Sequence, residues 1–322
     1  MEMPRQPNIS APNESAMIPN SPATMFLGIA EFEPFCHVNF MWKEISLDEK
    51  PLFDSWFQRF PCRLSDYSFT NCWIWNEERH YHYMVLDHCL LIRYTDHGET
   101  VYLMPVGDVD TQIFKMIGKN AMRAVDENRL STLRPYFQHA EEEQKHFDYL
   151  YRFEDLLKLH GNALQPKRNL IHQFEEQYEW HYEPIDLNNR FKVSAMQEKW
   201  ISLHPGDAAL QEEHVALTRC LKDFQALKLM GGCLIVDDQV IAYTVGELLT
   251  HDTLVIHGEK ALPSFKGAYQ AINQKFLEHT SQVAWVNREE ALGIPSLEQA
   301  KQSYHPARLL KKFKLWPSRQ PS

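Results

Sequence analysis

Apolar residues recur at three- and four-residue steps in several stretches of this chain, the spacing that lines up one face of an α-helix. Leu52, Trp56 and Phe60 share such a face within residues 47–60, with Asp48 and Glu49 in the first turn, where the helix dipole favours acids. Ile113, Ile117, Ala121 and Val125 predict an amphipathic helix over 110–128. A shorter pattern over 154–161 ends at Gly161, a C-cap signal. The polar, basic stretch 162–172 then leads into a second short helical piece, 174–180. Residues 191–204 fit another helix, stopped by Pro205 and Gly206. The clearest stripe runs through Leu217, Leu221, Phe224 and Lys228, widened by Cys220 and Leu227, and predicts a helix over 212–229.

Extended stretches alternate with these. Residues 81–95 and 100–104 read as strands around a turn at Asp96, His97, Gly98 and Glu99. They follow an aromatic segment at 67–75, whose Tyr67, Phe69, Trp73 and Trp75 suit a core. Strands at 232–236 and 240–249 flank Asp237, Asp238 and Gln239, a hairpin turn by position and composition. A strand at 253–259, a helix at 268–277 and a strand at 283–287 complete the pattern. It divides the chain into a flexible tail at 1–44, a first α+β unit at 45–150, a helical linker at 151–189, a second mixed unit at 190–315 and a tail at 316–322. Both units repeat the order of strands followed by a helix.

Composition narrows the class. The 322 residues are 44% hydrophobic and 24% charged, enough to bury a core in two domains. A formal charge of -10 argues against broad affinity for nucleic acid. Basic charge does collect after Glu298, in Lys301, Arg308, Lys311, Lys312, Lys314 and Arg319. Cys36, Cys62, Cys72, Cys89, Cys220 and Cys233 show no CxxC spacing, which suits reduced thiols in a cytoplasmic protein. His80 and His82 share a strand face without Cys or acidic partners at ligand spacing, so no metal is expected. The N-terminal stretch lacks the basic region and apolar core of a signal peptide. No apolar run reaches the ~18 residues of a spanning helix. No Ser-His-Asp elbow, P-loop or dinucleotide fingerprint is present.

The most informative stretch runs from Thr253 to His279. A strand breaks at 260–266, and Gly267 opens a helix with Ala268, Ile272 and Phe276 on one face. Strand, glycine turn and helix N-terminus gather unpaired N–H groups at the positive end of a helix dipole, an arrangement that holds phosphate or another anion. A glycine at such a junction also serves as a plain turn residue, and the residues alone leave both readings open.

With these residues in view, the chain resembles the bacterial family of uncharacterised, DUF2156-like proteins related to the C-terminal domain of phosphatidylglycerol lysyltransferases. The resemblance is carried by DYSFTN at 66–71 with WIW at 73–75, KRN at 167–169, GE at 246–247 and HGEKA at 257–261. It continues through GAYQAIN at 267–273 and NREEALG at 287–293, and closes on KQSYHP at 301–306. The resemblance implies an α/β (α+β) fold of tandem N-acetyltransferase-like (GNAT) domains with mixed central sheets. It also implies an acyl- or aminoacyltransferase. Such an enzyme moves an acyl group from acyl-CoA, or an aminoacyl group from charged tRNA, to a small-molecule or peptide amine. A non-catalytic ligand-binding or structural protein of the same fold is the alternative.

In such a fold the donor lies near a splayed gap between two central strands, with the glycine turn on its phosphate. Here Lys266, Gly267, Ala268 and Tyr269 would form that turn, and Ser264 would add a hydroxyl. Tyr269 stands where the superfamily has a small residue, and either narrows the approach or simply packs. The acceptor amine must lose a proton. Glu259, directly before the turn, and Glu247 are the candidate bases, with salt bridging as their other reading. His257 shares a strand face with Glu259 and is a substrate-side candidate. Tyr304 would assist the leaving group or pack as a core tyrosine. Asn287 and Arg288 follow a strand, where open sheets gather ligand contacts. Arg288 would clamp a substrate carboxylate or phosphate, or else pair with Glu289 or Glu290. Lys167 and Arg168 would face the cleft or fix the linker.

Overall fold

The structure, a computed structural model, describes residues 41–316; the expected tail up to residue 40, with Cys36, and the chain beyond 316, with Arg319, lie outside the described residues. Lys43–Glu44, expected in the tail, form β1. A capping box between Ser46 and Glu49 leads into α1 (Lys50–Arg59), which buries Phe53, Trp56 and Phe57. The aromatic segment becomes α2 (Phe69–Ile74), capped by Ser68, and α3 (Asn76–Arg79), ended by His80 in the left-handed conformation. Tyr67 and Phe69 are buried, while Trp73 and Trp75 are half-buried. The predicted strand at 81–95 is in fact a hairpin, β2 (His82–Leu86) and β3 (Cys89–Asp96), turning at Asp87 and His88. β4 (Glu99–Leu103) follows the predicted turn, and β5 (Val106–Gly107) pairs with β3.

The predicted helix at 110–128 is two elements. α4 (Thr111–Ile117) starts under Asp110, whose carboxylate accepts from the N–H groups of Gln112 and Ile113. It stops at Gly118, which has φ 63°. β6 (Ala121–Asp126) then runs parallel to β4. Apolar residues at four-residue steps suit either element, and the left-handed glycine decides between them. α5 (Glu127–Leu133), β7 (His139–Glu142), β8 (Asp148–Arg152) and α6 (Phe153–Lys158) come next. The supposed polar leader at 162–172 lies largely within α7 (Gln165–Gln177), started by Pro166, and Trp180 opens β9 (Trp180–Pro184). α8 (Arg190–Ser202) matches its pattern. α9 (Ala208–Lys222) ends short of residue 229, and Lys228, at φ 56°, turns the chain into β10 (Met230–Val236).

β10, β11 (Gln239–Thr250) and β12 (Thr253–Ala261) form a meander whose first turn holds Asp237 and Asp238 at positive φ, as predicted. α10 (Ala268–Glu278) crosses to β13 (Trp285–Asn287), which joins β12 in parallel. α11 (Pro295–Gln302), β14 (Arg308–Leu310) and β15 (Lys312–Trp316) follow. The product is an α+β fold with two mixed sheets flanked by helices. One sheet has the order β1-β2-β3-β4-β6-β15-β7, with β5 on β3; the other has β14-β8-β13-β12-β11-β10-β9. Each contains the same series: three antiparallel strands, a crossover helix, and a strand parallel to the third.

The sheets exchange strands, so sheet membership crosses the expected divisions at 150 and 190. β8 enters the second sheet beside β13, and β15 enters the first between β6 and β7. At the crossing the Lys312 ammonium lies 2.8 Å from Asp148, 2.6 Å from Asp66 and 3.7 Å from Glu290, with its side chain 3% exposed. Asp148 also accepts from the Ser65 N–H and the Asn287 amide. Burial opposes the charge on Lys312, but the three carboxylates hold its pKa well above the usual lysine range. Glu290 is likewise opposed by burial, yet Lys312 and His146 hold it down at about 2. Removing one partner from a buried ion cluster costs about 3–5 kcal/mol. Lys312→Met should therefore lower the unfolding free energy by about that much in urea denaturation, and a loss under ~1 kcal/mol would show that the cluster does not hold the sheets together.

Candidate active site

The parallel pair β12–β13 is short. Thr253, Leu254 and Val255 pair with Trp285, Val286 and Asn287, after which β12 continues to Ala261 without β13 beside it. On its other edge, β12 carries a bulge. Val245 opposes Gly258 and Gly246 opposes Ile256, which leaves His257 as the extra residue. Gly246 is required there, since a Cβ would lie 2.2 Å from the Val255 carbonyl oxygen. The strand thus parts from one neighbour and buckles against the other over its candidate residues.

His257 sits between two carboxylates. Its Nε2 is 3.1 Å from Glu247 and its Nδ1 is 2.9 Å from Glu289, with the ring fully buried. Glu247 also faces the Lys50 ammonium at 3.5 Å, and Glu289 accepts from the Asn71 amide at 3.0 Å. Burial would lower the His257 pKa, but the two carboxylates raise it to about 9. Burial would raise Glu247, but the hydrogen bond and charge of His257, followed by Lys50, hold it below its usual value. The cluster is an imidazolium clamped between two anions, and it pins α1 and α2 to the second sheet.

Glu259 occupies the parting of β12 and β13. One oxygen accepts from Arg288 at 2.8 Å and the other from Asn273 of α10 at 2.9 Å; its side chain is 10% exposed. Arg288 therefore pairs with neither Glu289 nor Glu290. Its guanidinium also lies 4.9 Å from the Tyr304 ring centre and 5.8 Å from that of Tyr151. Lys167 reaches the same Tyr304 ring at 4.4 Å, while Arg168 donates to the Gly161 carbonyl and to Leu159 and Gln165. The two basic residues divide: Lys167 faces the cluster and Arg168 fixes the linker. Tyr304 is buried, and burial, opposed by Arg288, pushes its hydroxyl far above the usual range. Asn287 turns back into the Asp148 cluster and donates to the Arg63 carbonyl.

Lys301, read from sequence as part of a basic tail and as the start of KQSYHP but given no site role, holds the loop that carries these groups. Its ammonium donates to the carbonyls of Arg288, Glu289 and Glu290 at 2.6, 3.2 and 2.6 Å. Burial, with the Arg288 charge, lowers its pKa to about 8. Asn273, the last residue of GAYQAIN, was likewise given no site role from the sequence. The available signal was a polar residue beside the apolar stripe of a helix.

At the turn before α10, Gly267 has φ 88°, and a Cβ there would lie 2.2 Å from the Leu170 carbonyl oxygen of α7. The bare glycine thus admits α7, and the Ala268 N–H already donates to Phe265. Ser264 and Lys266 are exposed. The Tyr269 hydroxyl is 3.1 Å from Trp200 Nε1, so this side chain packs inward. Farther along the chain, Arg308 faces Glu127, Lys311 binds Glu142 and Lys312 is buried. The basic run is therefore largely neutralised within the fold. His82 Nδ1 faces the His80 carbonyl. Among the described residues, no helix is long and apolar enough to cross a membrane.

A conserved protein of unknown function from Bacteroides thetaiotaomicron VPI-5482 has a TM-score of 0.82 at 29% identity, covering 87% of this chain and 100% of that one. The C-terminal domain (DUF2156) of a putative lysylphosphatidylglycerol synthetase from Agrobacterium fabrum shares the fold, with a TM-score of 0.60 at 12% identity, over 85% of this chain and 93% of that one. An uncharacterised protein of Mycoplasmoides gallisepticum is 29% identical over 173 residues, 52% of this chain and 54% of that protein, so the match spans about half of this curated relative. The family described as phosphatidylglycerol lysyltransferase, C-terminal, matches residues 57–315, from the end of α1 into β15, and the chain belongs to that family.

Proposed function

We propose that this protein transfers an acyl or aminoacyl group to an amine. Membership of the lysyltransferase-related family supports a transferase-like function. The two sheets, each with a meander, a crossover helix and a parallel strand, read as paired N-acetyltransferase-like (GNAT) units with exchanged strands. The observation that carries the reading is Glu259, held by Arg288 and Asn273 where β12 and β13 part, just before the turn into α10.

In this reading the amine nitrogen attacks the donor carbonyl carbon. The C–S bond of a thioester or the C–O bond of an aminoacyl ester breaks, and the leaving sulfur or oxygen takes up a proton. The amine proton passes to Glu259, whose second oxygen stays on Arg288. Glu247 and His257 neutralise each other inside the fold, so their part is to position β11 and β12. Acyl-CoA, as donor, would meet the Lys266 ammonium and Ser264 hydroxyl, since the bare face of Gly267 is already covered by α7. Charged tRNA is the other donor class, although the pairing of Arg308, Lys311 and Lys312 weakens its electrostatic footing. The acceptor is a small-molecule or peptide amine.

One observation favours a second reading, a ligand-binding protein without turnover: both Glu247 and Glu259 are ion-paired, and Tyr269 is tied to Trp200. Transfer by the parent separates the two, and Glu259→Gln tests the base. The amide keeps a hydrogen bond to Arg288 but accepts no proton, so transfer to amine acceptors, followed by mass spectrometry with acyl-CoA and charged-tRNA donors, should fall ~100-fold or more. An unchanged rate would remove Glu259 as the base.

Donor binding is tested by calorimetry with acetyl-CoA and longer acyl-CoAs. Lys266→Glu should weaken it about tenfold, the equivalent of ~1.4 kcal/mol. If no thioester binds the parent, the CoA version fails.

The charge on His257 has its own signature. The ring takes its proton near pH 9 in the folded chain and near 6.5 in the unfolded one. Its ion pairs therefore stabilise fully below pH 6.5 and lose on the order of 3 kcal/mol as pH rises through 9. Lys301 contributes the opposite slope, because its folded pKa is depressed. The relevant quantity is thus the stability difference between the parent and His257→Gln, which should shrink as pH is raised from about 6 to about 10. A difference that stays constant would mean the ring is neutral throughout.

A further inference from the structure

We infer that Lys167, Arg288 and Tyr304 form a seat for an oxyanion, the phosphate or carboxylate of a substrate, beside Glu259. Two observations on different elements lead to it. Arg288 places one guanidinium nitrogen, Nη2, on Glu259 at 2.8 Å. Its other terminal nitrogen, Nη1, is buried with no hydrogen-bond partner among the described residues. A buried donor left without a partner is costly, and a guanidinium fork suits the paired oxygens of phosphate and carboxylate.

Lys167, on the first turn of α7, brings a second cation to the same ring. Its ammonium is 4.4 Å from the Tyr304 centre, Arg288 is 4.9 Å from it, and Lys167 makes no ion pair among the described residues. Burial and then the Arg288 charge lower the Lys167 pKa, as they do when two cations lack an anion between them. Glu259 is the carboxylate that pairs with Arg288, and it is already divided between Arg288 and Asn273. Two cations therefore face one carboxylate, and one more negative charge would balance the cluster.

The fold also brings the positive end of a helix here. The carbonyl of Leu170 on α7 lies against Gly267, and Gln270 in the first turn of α10 lies beside the Tyr304 hydroxyl. Tyr304 thereby serves as a platform on which both cations rest, in place of a proton donor to the leaving group.

The assignment of this anion to a substrate rests on the transfer reading; the seat itself does not. The test is calorimetry on the full chain with inorganic phosphate, methyl phosphate, acetate and CoA. We expect at least one of them to bind with an affinity that falls tenfold or more in Lys167→Ala and further in Lys167→Glu. Lys167 is partly exposed, so these variants keep the fold even if Arg288→Gln does not. CoA displaced by methyl phosphate would assign the seat to the donor, and simultaneous binding of both would assign it to the acceptor. No binding by any probe, or binding that both Lys167 variants leave unchanged, would overturn the seat. Binding through Lys167 without any acyl transfer would end the transfer reading and keep the seat. Transfer in a protein whose Lys167 variants bind every probe as the parent does would end the seat alone.

Discussion

Lys312 leaves one sheet and ends among the carboxylates of the other. Its strand belongs to the first sheet, while Asp148 comes from β8 of the second and Glu290 from the loop after β13. Buried charges are tolerated only when each finds partners, so the ammonium fixes where all three segments must meet. The strand exchange and this cluster form a single constraint. Either sheet without the strand it borrows would lose both a ladder of backbone hydrogen bonds and the counter-charge of a buried ion.

The same logic governs the loop after β13. Three consecutive charged residues leave it in three directions: Arg288 to Glu259, Glu289 to His257, and Glu290 to His146 and Lys312. Their carbonyls converge on the Lys301 ammonium. Glu289 sits at φ 55°, a conformation that side chains rarely adopt, and it is held there by contacts on both sides. The loop is thus set by ion pairs on its side chains and a cation on its backbone. It delivers Arg288 to the one place where β12 lacks a neighbour.

This arrangement separates two tasks that the sequence presents as one cluster of acids and bases. Glu247, His257, Glu289 and Lys50 balance one another in the interior and join α1 and α2 to the second sheet. Glu259, Arg288 and Lys167 lie at the parting of the strands, where positive charge exceeds negative.

The chain's own periodicity determined a good part of the fold. Helices at α1, α8 and α10, the meander with its Asp237–Asp238 turn, and the strands β12 and β13 on either side of α10 all follow from local spacing and turn chemistry. His257 and Glu259 were legible as site candidates because they flank a glycine near a strand end, and Asn287 and Arg288 because they close a strand. Local pattern failed where two periods coincide. The apolar steps from Ile113 to Val125 suit a helix or a helix and a strand, and only the left-handed Gly118 separates them. Long-range partners were not legible at all. Nothing in the spacing says that Lys312 is buried, that Lys301 gathers three carbonyls, or that Glu259 and not Glu289 takes Arg288. Those choices depend on which segments the strand exchange brings together, and a charge in a low-dielectric interior selects its partner by distance in space, a quantity that sequence separation does not encode.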